Sequence, residues 1–150
     1  MSNEIKDQVK SYYDYWFGIS AFYEKWAKSH GLTSNALFAL YTIREYPNQC
    51  TQRFICEKLL FPKQTVSTIL ETFEKKGYIG KKVADEDKRN KYILLTDEGR
   101  QYADEILSHL FHFEERALLK MDSNERTAMI KNSHAFLKQL LQALEDRRYK

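Results

Sequence analysis

Between Ile5 and Trp26 the chain places large apolar residues at alternating steps of four and three: Ile5, Val9, Tyr12, Trp16, Ile19, Tyr23 and Trp26. An α-helix brings such positions onto one stripe, and this alternation is the seam spacing of helices that pack along one another. Tyr13 and Phe17 widen the stripe. One helix with so much aromatic surface cannot bury all of it against a small domain, so part of it is expected to face another chain. The far end of the chain repeats the pattern. Ala103, Ile106, Leu110, Phe113 and Ala117 form a second seam, and Ile130, His134, Leu137, Leu141 and Leu144 a third.

Between these ends, capping and stop signals divide the chain into short elements. Gly31 suits the left-handed residue just past the first helix. Thr33 caps a second helix, "SNALFALYTIREY", with Leu37, Leu40, Tyr41 and Arg44 on one face, and Pro47 stops it. Thr51 opens a short third helix whose apolar side is Phe54, Ile55 and Leu59. Pro62 suits the first turn of a fourth, "KQTVSTILETFEKK", where a missing amide hydrogen costs nothing. Val66, Ile69, Leu70 and Phe73 line its buried face, and Gly77 ends it. "YIGKKVAD" and "KYILL" read as two short strands. Thr96 caps the fifth helix, and Asp122 with Glu125 has the form of a capping box before the sixth.

The predicted fold is therefore mainly α with one small β-hairpin. At 150 residues the chain is expected to be a single domain with a real core. Five Gly and two Pro agree with a helical fold. The polar amino terminus reads as neither a secretory signal nor a membrane span, which makes the cytoplasm the expected location, without membrane association. Cys50 and Cys56 are too few for a disulfide framework and are not spaced as CxxC. No Ser–His–Asp pattern, phosphate loop or HExxH is present, so no catalytic residues are expected.

The centre of the chain carries the functional signal. A short helix, a tight turn and a longer helix with a polar outer face are the parts of a helix-turn-helix. The fourth helix begins with Lys63, Gln64, Thr65, Ser67 and Thr68, donors and short hydroxyls at the end that meets base edges in a major groove. A hairpin directly afterwards makes a wing. Its tip offers Lys88, Arg89 and Lys91, and its base Lys81 and Lys82. A guanidinium suits a narrow, electronegative minor groove, and Asp87 is placed to hold the tip in shape. A solvated face on a helical protein-interaction module is the competing reading. The formal charge of +3 permits a polyanionic partner without requiring one.

"DKRNKYILLT" matches Asp-x-Arg, five residues, Leu-Thr, and so resembles the wing signature of the MarR family; the matching residues are Asp87, Arg89, Leu95 and Thr96. "TVSTILETFEKKGYI" is similar to that family's recognition helix and following glycine turn, and the order of elements agrees along nearly the whole chain. The resemblance implies a winged helix-turn-helix lobe over 33–96, with dimerisation helices at 1–30 and 97–150. It implies a homodimer on double-stranded DNA, with two recognition helices roughly 34–36 Å apart on a near-palindromic operator, and most often repression. Two residues depart from the pattern. Pro62 replaces a common serine cap, and Thr68 stands where arginine is common, which shifts base reading toward Gln64, Ser67 and the wing.

The resemblance also implies control by a small aromatic effector, with no other cofactor. Tyr12, Tyr13, Trp16, Phe38, Tyr41 and Phe111 are candidate pocket residues, against the plainer reading that they are core. A zinc-responsive variant of the fold would draw on Glu24, His30, His109 and His112, whose spacing is not a strong ligand motif. A thiol-responsive variant would use Cys50, which precedes a helix amino terminus and would ionise readily there if exposed.

Overall fold

A computed structural model describes residues 2–83 and 91–146. They fall into two compact units that divide after Leu107. The first holds α1 (Asn3–Ser29), α2 (Ser34–Glu45), α3 (Gln52–Leu59), α4 (Lys63–Lys75), β1 (Ile79–Val83) and β2 (Lys91–Leu95). α5 (Asp97–Lys120) begins in the first unit and continues into the second, which also holds α6 (Ser123–Glu145).

Local chemistry sets most of the boundaries. Ser2, Thr33 and Thr51 each accept a hydrogen bond from the amide three residues on, satisfying a donor the helix cannot. α1 and α4 end in the same device. Gly31 (φ +75°) and Gly77 (φ +76°) take the left-handed conformation. The next amide then reaches back to the last turn, Leu32 to the Ala27 carbonyl and Tyr78 to the Phe73 carbonyl, each at 2.9 Å. Pro62 takes the cap position that the resemblance implies, one residue before the first turn. It is the N-cap of α4 (φ −59°, ψ 148°), and the helix starts at Lys63. Asp122 caps α6 by accepting from the Asn124 amide at 2.8 Å.

In the first unit α2 packs against α1, α3, α4 and β2. Leu37, Leu40, Ile43, Ile55, Leu70 and Phe73 are buried there. All four predicted α4 residues, Val66, Ile69, Leu70 and Phe73, lie inside. Tyr41 does not belong to the buried face of α2. It is exposed, while Ala39, Thr42 and Ile43 point inward, because α2 is covered on more than one side. β1 and β2 pair antiparallel from Ile79↔Leu95 to Val83↔Lys91. Residues just before α3 join them: the Ile93 amide donates to the Cys50 carbonyl at 2.7 Å, and Thr51 bridges Tyr92. The hairpin is thereby tied to the start of α3 as well as to the end of α4.

The terminal seams behave differently. Trp26 and Ala27 are buried, as are Ala103, Ile106 and Leu110. Ile5, Val9, Tyr13, Trp16 and Phe17 of α1 are exposed, as are Phe113 of α5 and Ile130, Leu137, Leu141 and Leu144 of α6. Among the described residues no helix is long and apolar enough to cross a membrane.

Candidate nucleic-acid interface

α4 presents one face to the core and the other outward. Lys63, Gln64 and Thr68 are exposed, and Thr65 and Ser67 half-buried. The cap residue is a proline without a side-chain acceptor, so the first-turn amides of α4 are left to an acceptor from outside, at the positive end of the helix. Thr68 is less available as a donor than its position suggested. Its hydroxyl donates to the Gln64 carbonyl at 3.0 Å, leaving a methyl group and oxygen lone pairs turned outward.

The hairpin supplies the second part. Lys81, Lys82 and Lys91 are exposed on the paired strands, and Lys81 lies 3.6 Å from Glu74 of α4. Asp87, Lys88 and Arg89 lie outside the described residues. Lys63, Lys81 and Lys91 come together around one groove of about 550 Å³ between α3, α4 and the strands. Arg53 and Gln52 of α3 line it as well. Neither residue is marked by the apolar spacing of the sequence. The available signal was the polar first turn "TQR" of the short helix, of the same kind that drew attention to α4.

The start of α5 is clamped to this body. The Thr96 hydroxyl donates to the Gly77 carbonyl at 2.6 Å and accepts from the Gly99 amide at 3.0 Å. The Thr96 amide donates to the Tyr78 carbonyl at 3.0 Å, and the Tyr78 and Tyr102 rings stack at 4.1 Å. Burial beside Tyr78 pushes the Tyr102 hydroxyl pKa up. Farther along, Arg44 of α2 pairs with Asp104, and that hydrogen bond raises the guanidinium's pKa further. The end of α4, the hairpin and the first turns of α5 therefore share one hydrogen-bonded junction.

This arrangement of two short helices, a hairpin and flanking long helices matches known proteins. A family model described as "MarR family" matches residues 30–90. The Bacillus subtilis HTH-type transcriptional regulator YwoH is 29% identical over 109 residues, covering 73% of this chain and 78% of its own. NMB1585, a MarR family regulator from Neisseria meningitidis, superposes with a TM-score of 0.76 at 26% identity, covering 97% of this chain and 99% of its own. The chain is thus similar to MarR family regulators. A second MarR-type structure, Staphylococcus aureus MepR in complex with DNA, gives a TM-score of 0.74 at 25% identity over 85% of this chain and 97% of its own. The proteins that this chain resembles are described as transcriptional regulators, one of them in complex with DNA.

The other candidate residues separate. Tyr12 packs with Tyr13 and Tyr15 along α1, and Phe38 meets Tyr23 edge-on at 5.3 Å. Trp16 and Tyr41 are exposed, and Phe111 belongs to the second unit. None of the six effector candidates lines the groove at α4. Glu24 accepts from the Ser34 amide at 3.1 Å, and hydrogen bonding from the Ser34 side chain, then from this amide, holds its carboxyl below the usual range. His30 stacks on Trp26 at 3.9 Å. His109 and His112 lie beyond the division of the units. Among the described residues no three His, Cys, Asp or Glu side chains are grouped to hold a metal ion. The thiol reading of Cys50 is corrected. The side chain is fully buried, and burial pushes its pKa up to about 12, the opposite of what a reactive thiolate needs. Its place before α3 did not confer reactivity because its neighbours are Ile93 and the core rather than solvent.

Proposed function

We propose that the protein acts in the cytoplasm as a homodimeric, ligand-responsive repressor that binds a near-palindromic operator. The lobe over 33–96 reads DNA, and the helical segments 1–30 and 97–150 pair two copies. The observation that carries the reading is the meeting of Lys63, Lys81 and Lys91 around one groove beside the exposed Gln64. Gln64, Ser67 and Thr68 are the residues for base edges. The lysines, Lys88 among them, neutralise phosphates, and Arg89 of the wing signature enters the minor groove. Asp87 shapes the wing.

The dimer reading draws on the exposed apolar rows of α1 and α6. A monomer gains little by exposing Trp16, Phe17, Leu137 and Leu141 together. In a two-fold dimer, an effector lodged among Tyr12, Tyr13, Trp16, Phe38, Tyr41 and Phe111 acts only by binding one lobe spacing better than another.

The test is a gel shift with fragments carrying the gene's own promoter, joined to a sedimentation measurement of mass. Salt-sensitive, competable binding by a dimer is expected. A monomeric mass, or binding that a random competitor abolishes as readily as the promoter fragment, would reject the reading.

A further inference from the structure

The outward ridge of α4 differs in chemistry from the cationic groove beside it. Val66, Ile69, Leu70 and Phe73 turn inward, which puts Gln64, Thr68 and Glu71 on the opposite side, one above another, and all three are exposed. None of the three is a cation, and Glu71 is a carboxylate that phosphate repels. This ridge is therefore poorly suited to a sugar–phosphate strand and well suited to the edges of bases.

Thr68 sits at the middle of the ridge with its hydroxyl already engaged. Its Oγ1 donates to the Gln64 carbonyl at 3.0 Å. That bond draws the oxygen back against its own helix and fixes χ1, and with χ1 the direction of the methyl group. An acceptor brought up from outside finds no free proton there. What the exposed side chain holds out is a small apolar surface in a set orientation. Thr72 repeats the device one turn on, its hydroxyl donating to the Thr68 carbonyl at 3.1 Å, but it lies farther from the amino-terminal end of α4.

We propose that Thr68 reads the C5-methyl group of thymine by apolar contact, so that it takes part in base choice as a hydrocarbon rather than as a hydroxyl. The proposal rests on the DNA-binding reading and names the group that one of its base-edge residues meets. In the major groove thymine is the one standard base that carries a methyl, and uracil differs from it by that group alone. 5-Methylcytosine holds the same methyl at the same place, although cytosine has a donor where thymine has an acceptor. A residue that recognises hydrocarbon accepts both methylated pyrimidines and discriminates against both bare ones. The protein is then a reader of pyrimidine methylation at one position of its site.

The test begins with a duplex selected from a random pool by the full chain. Its thymines are replaced one at a time by deoxyuridine, and affinity is measured by gel shift. Loss of one buried methyl should weaken binding about fourfold at one thymine of each half-site. Thr68→Val keeps a methyl and removes the hydroxyl, and should preserve that preference. Thr68→Ser does the reverse and should abolish it. With cytosine at the responsive position, its 5-methylation should recover about fourfold with the native protein and nothing with Thr68→Ser. Residue 68 is exposed, so neither substitution disturbs the core. If a duplex is selected and no thymine responds to deoxyuridine, the proposal fails and the DNA-binding reading stands. If Thr68→Val loses the preference, the hydroxyl does the reading; if Thr68→Ser keeps it, another residue meets the methyl; either result overturns the assignment. If no duplex is selected, both the proposal and the DNA-binding reading fail.

Discussion

Gly99 sits in the first turn of α5, where alanine would ordinarily be the better helix former by about 1 kcal/mol. Here the substitution is expected to do the reverse. A Cβ on Gly99 would stand 1.8 Å from the Tyr78 carbonyl oxygen and 2.6 Å from its carbon. Backbone atoms cannot swing aside as a side-chain end can, so α5 must draw back from Tyr78 by more than about 1 Å. That retreat breaks the 3.0 Å bond from the Thr96 amide to Tyr78 and the 2.6 Å bond from the Thr96 hydroxyl to Gly77. Each is worth about 1 kcal/mol. It also loosens the Tyr78–Tyr102 stack, worth about 0.5–1.5 kcal/mol. Set against the helix-propensity gain, Gly99→Ala should destabilise the protein by about 2 kcal/mol. Urea denaturation followed by circular dichroism, at one protein concentration because association adds to stability, gives the value. Gly80→Ala is the control. An added Cβ there meets nothing within 4 Å, so the change should be neutral or stabilising by up to about 1 kcal/mol. If Gly99→Ala proves as stable as the parent, the close approach of α5 to Tyr78 is wrong.

Three further outcomes follow from the same geometry. Leu60 caps α3 at φ +56°, ψ 40°, and is 86% exposed, so it carries left-handed strain of about 1–2 kcal/mol with little packing in return. Leu60→Gly should raise stability by about 0.5–1 kcal/mol by the same denaturation assay, and a loss would mean that the side chain has a partner. Gln64→Ala should cost about 1–3 kcal/mol of discrimination between operator and random duplex at an unchanged salt slope, whereas an equal loss on both duplexes would make Gln64 a backbone contact. For Cys50, burial raises the thiol pKa from 9.0 to about 12, so the unfolded chain ionises first as pH rises. This contribution is complete below about pH 9 and is lost on the way to 12, and Cys50→Ala should flatten that part of the stability profile. Parallel decline of the two profiles would show that the thiol is solvated.

The elements that carry the candidate residues were legible in the sequence. Lys63, Gln64, Lys81, Lys82 and Lys91 are exposed side chains of the helix and hairpin that periodicity and capping predict. The effector pocket is what the family resemblance implies, and its candidate residues are aromatic side chains on separate helices. Spacing reports which face of a helix a ring shares, and says nothing of which other helix that face meets. The same gap explains Cys50, where the helix-terminus argument was sound for an exposed thiol and burial removed its premise.

The residue order alone settled what depends on neighbours within a turn or two. Thr33 and Thr51 cap because a hydroxyl reaches the amide three residues ahead. Gly31 and Gly77 stop helices because they tolerate positive φ. Val66, Ile69, Leu70 and Phe73 face inward because 3.6 residues make a turn. Contacts between distant segments were beyond its reach: the pairing of Cys50 and Thr51 with β2, the pressing of Gly99 onto Tyr78, and the meeting of Arg53 with Lys63, Lys81 and Lys91 around one groove. Those depend on where folding brings separate stretches of backbone, and no local periodicity records that distance.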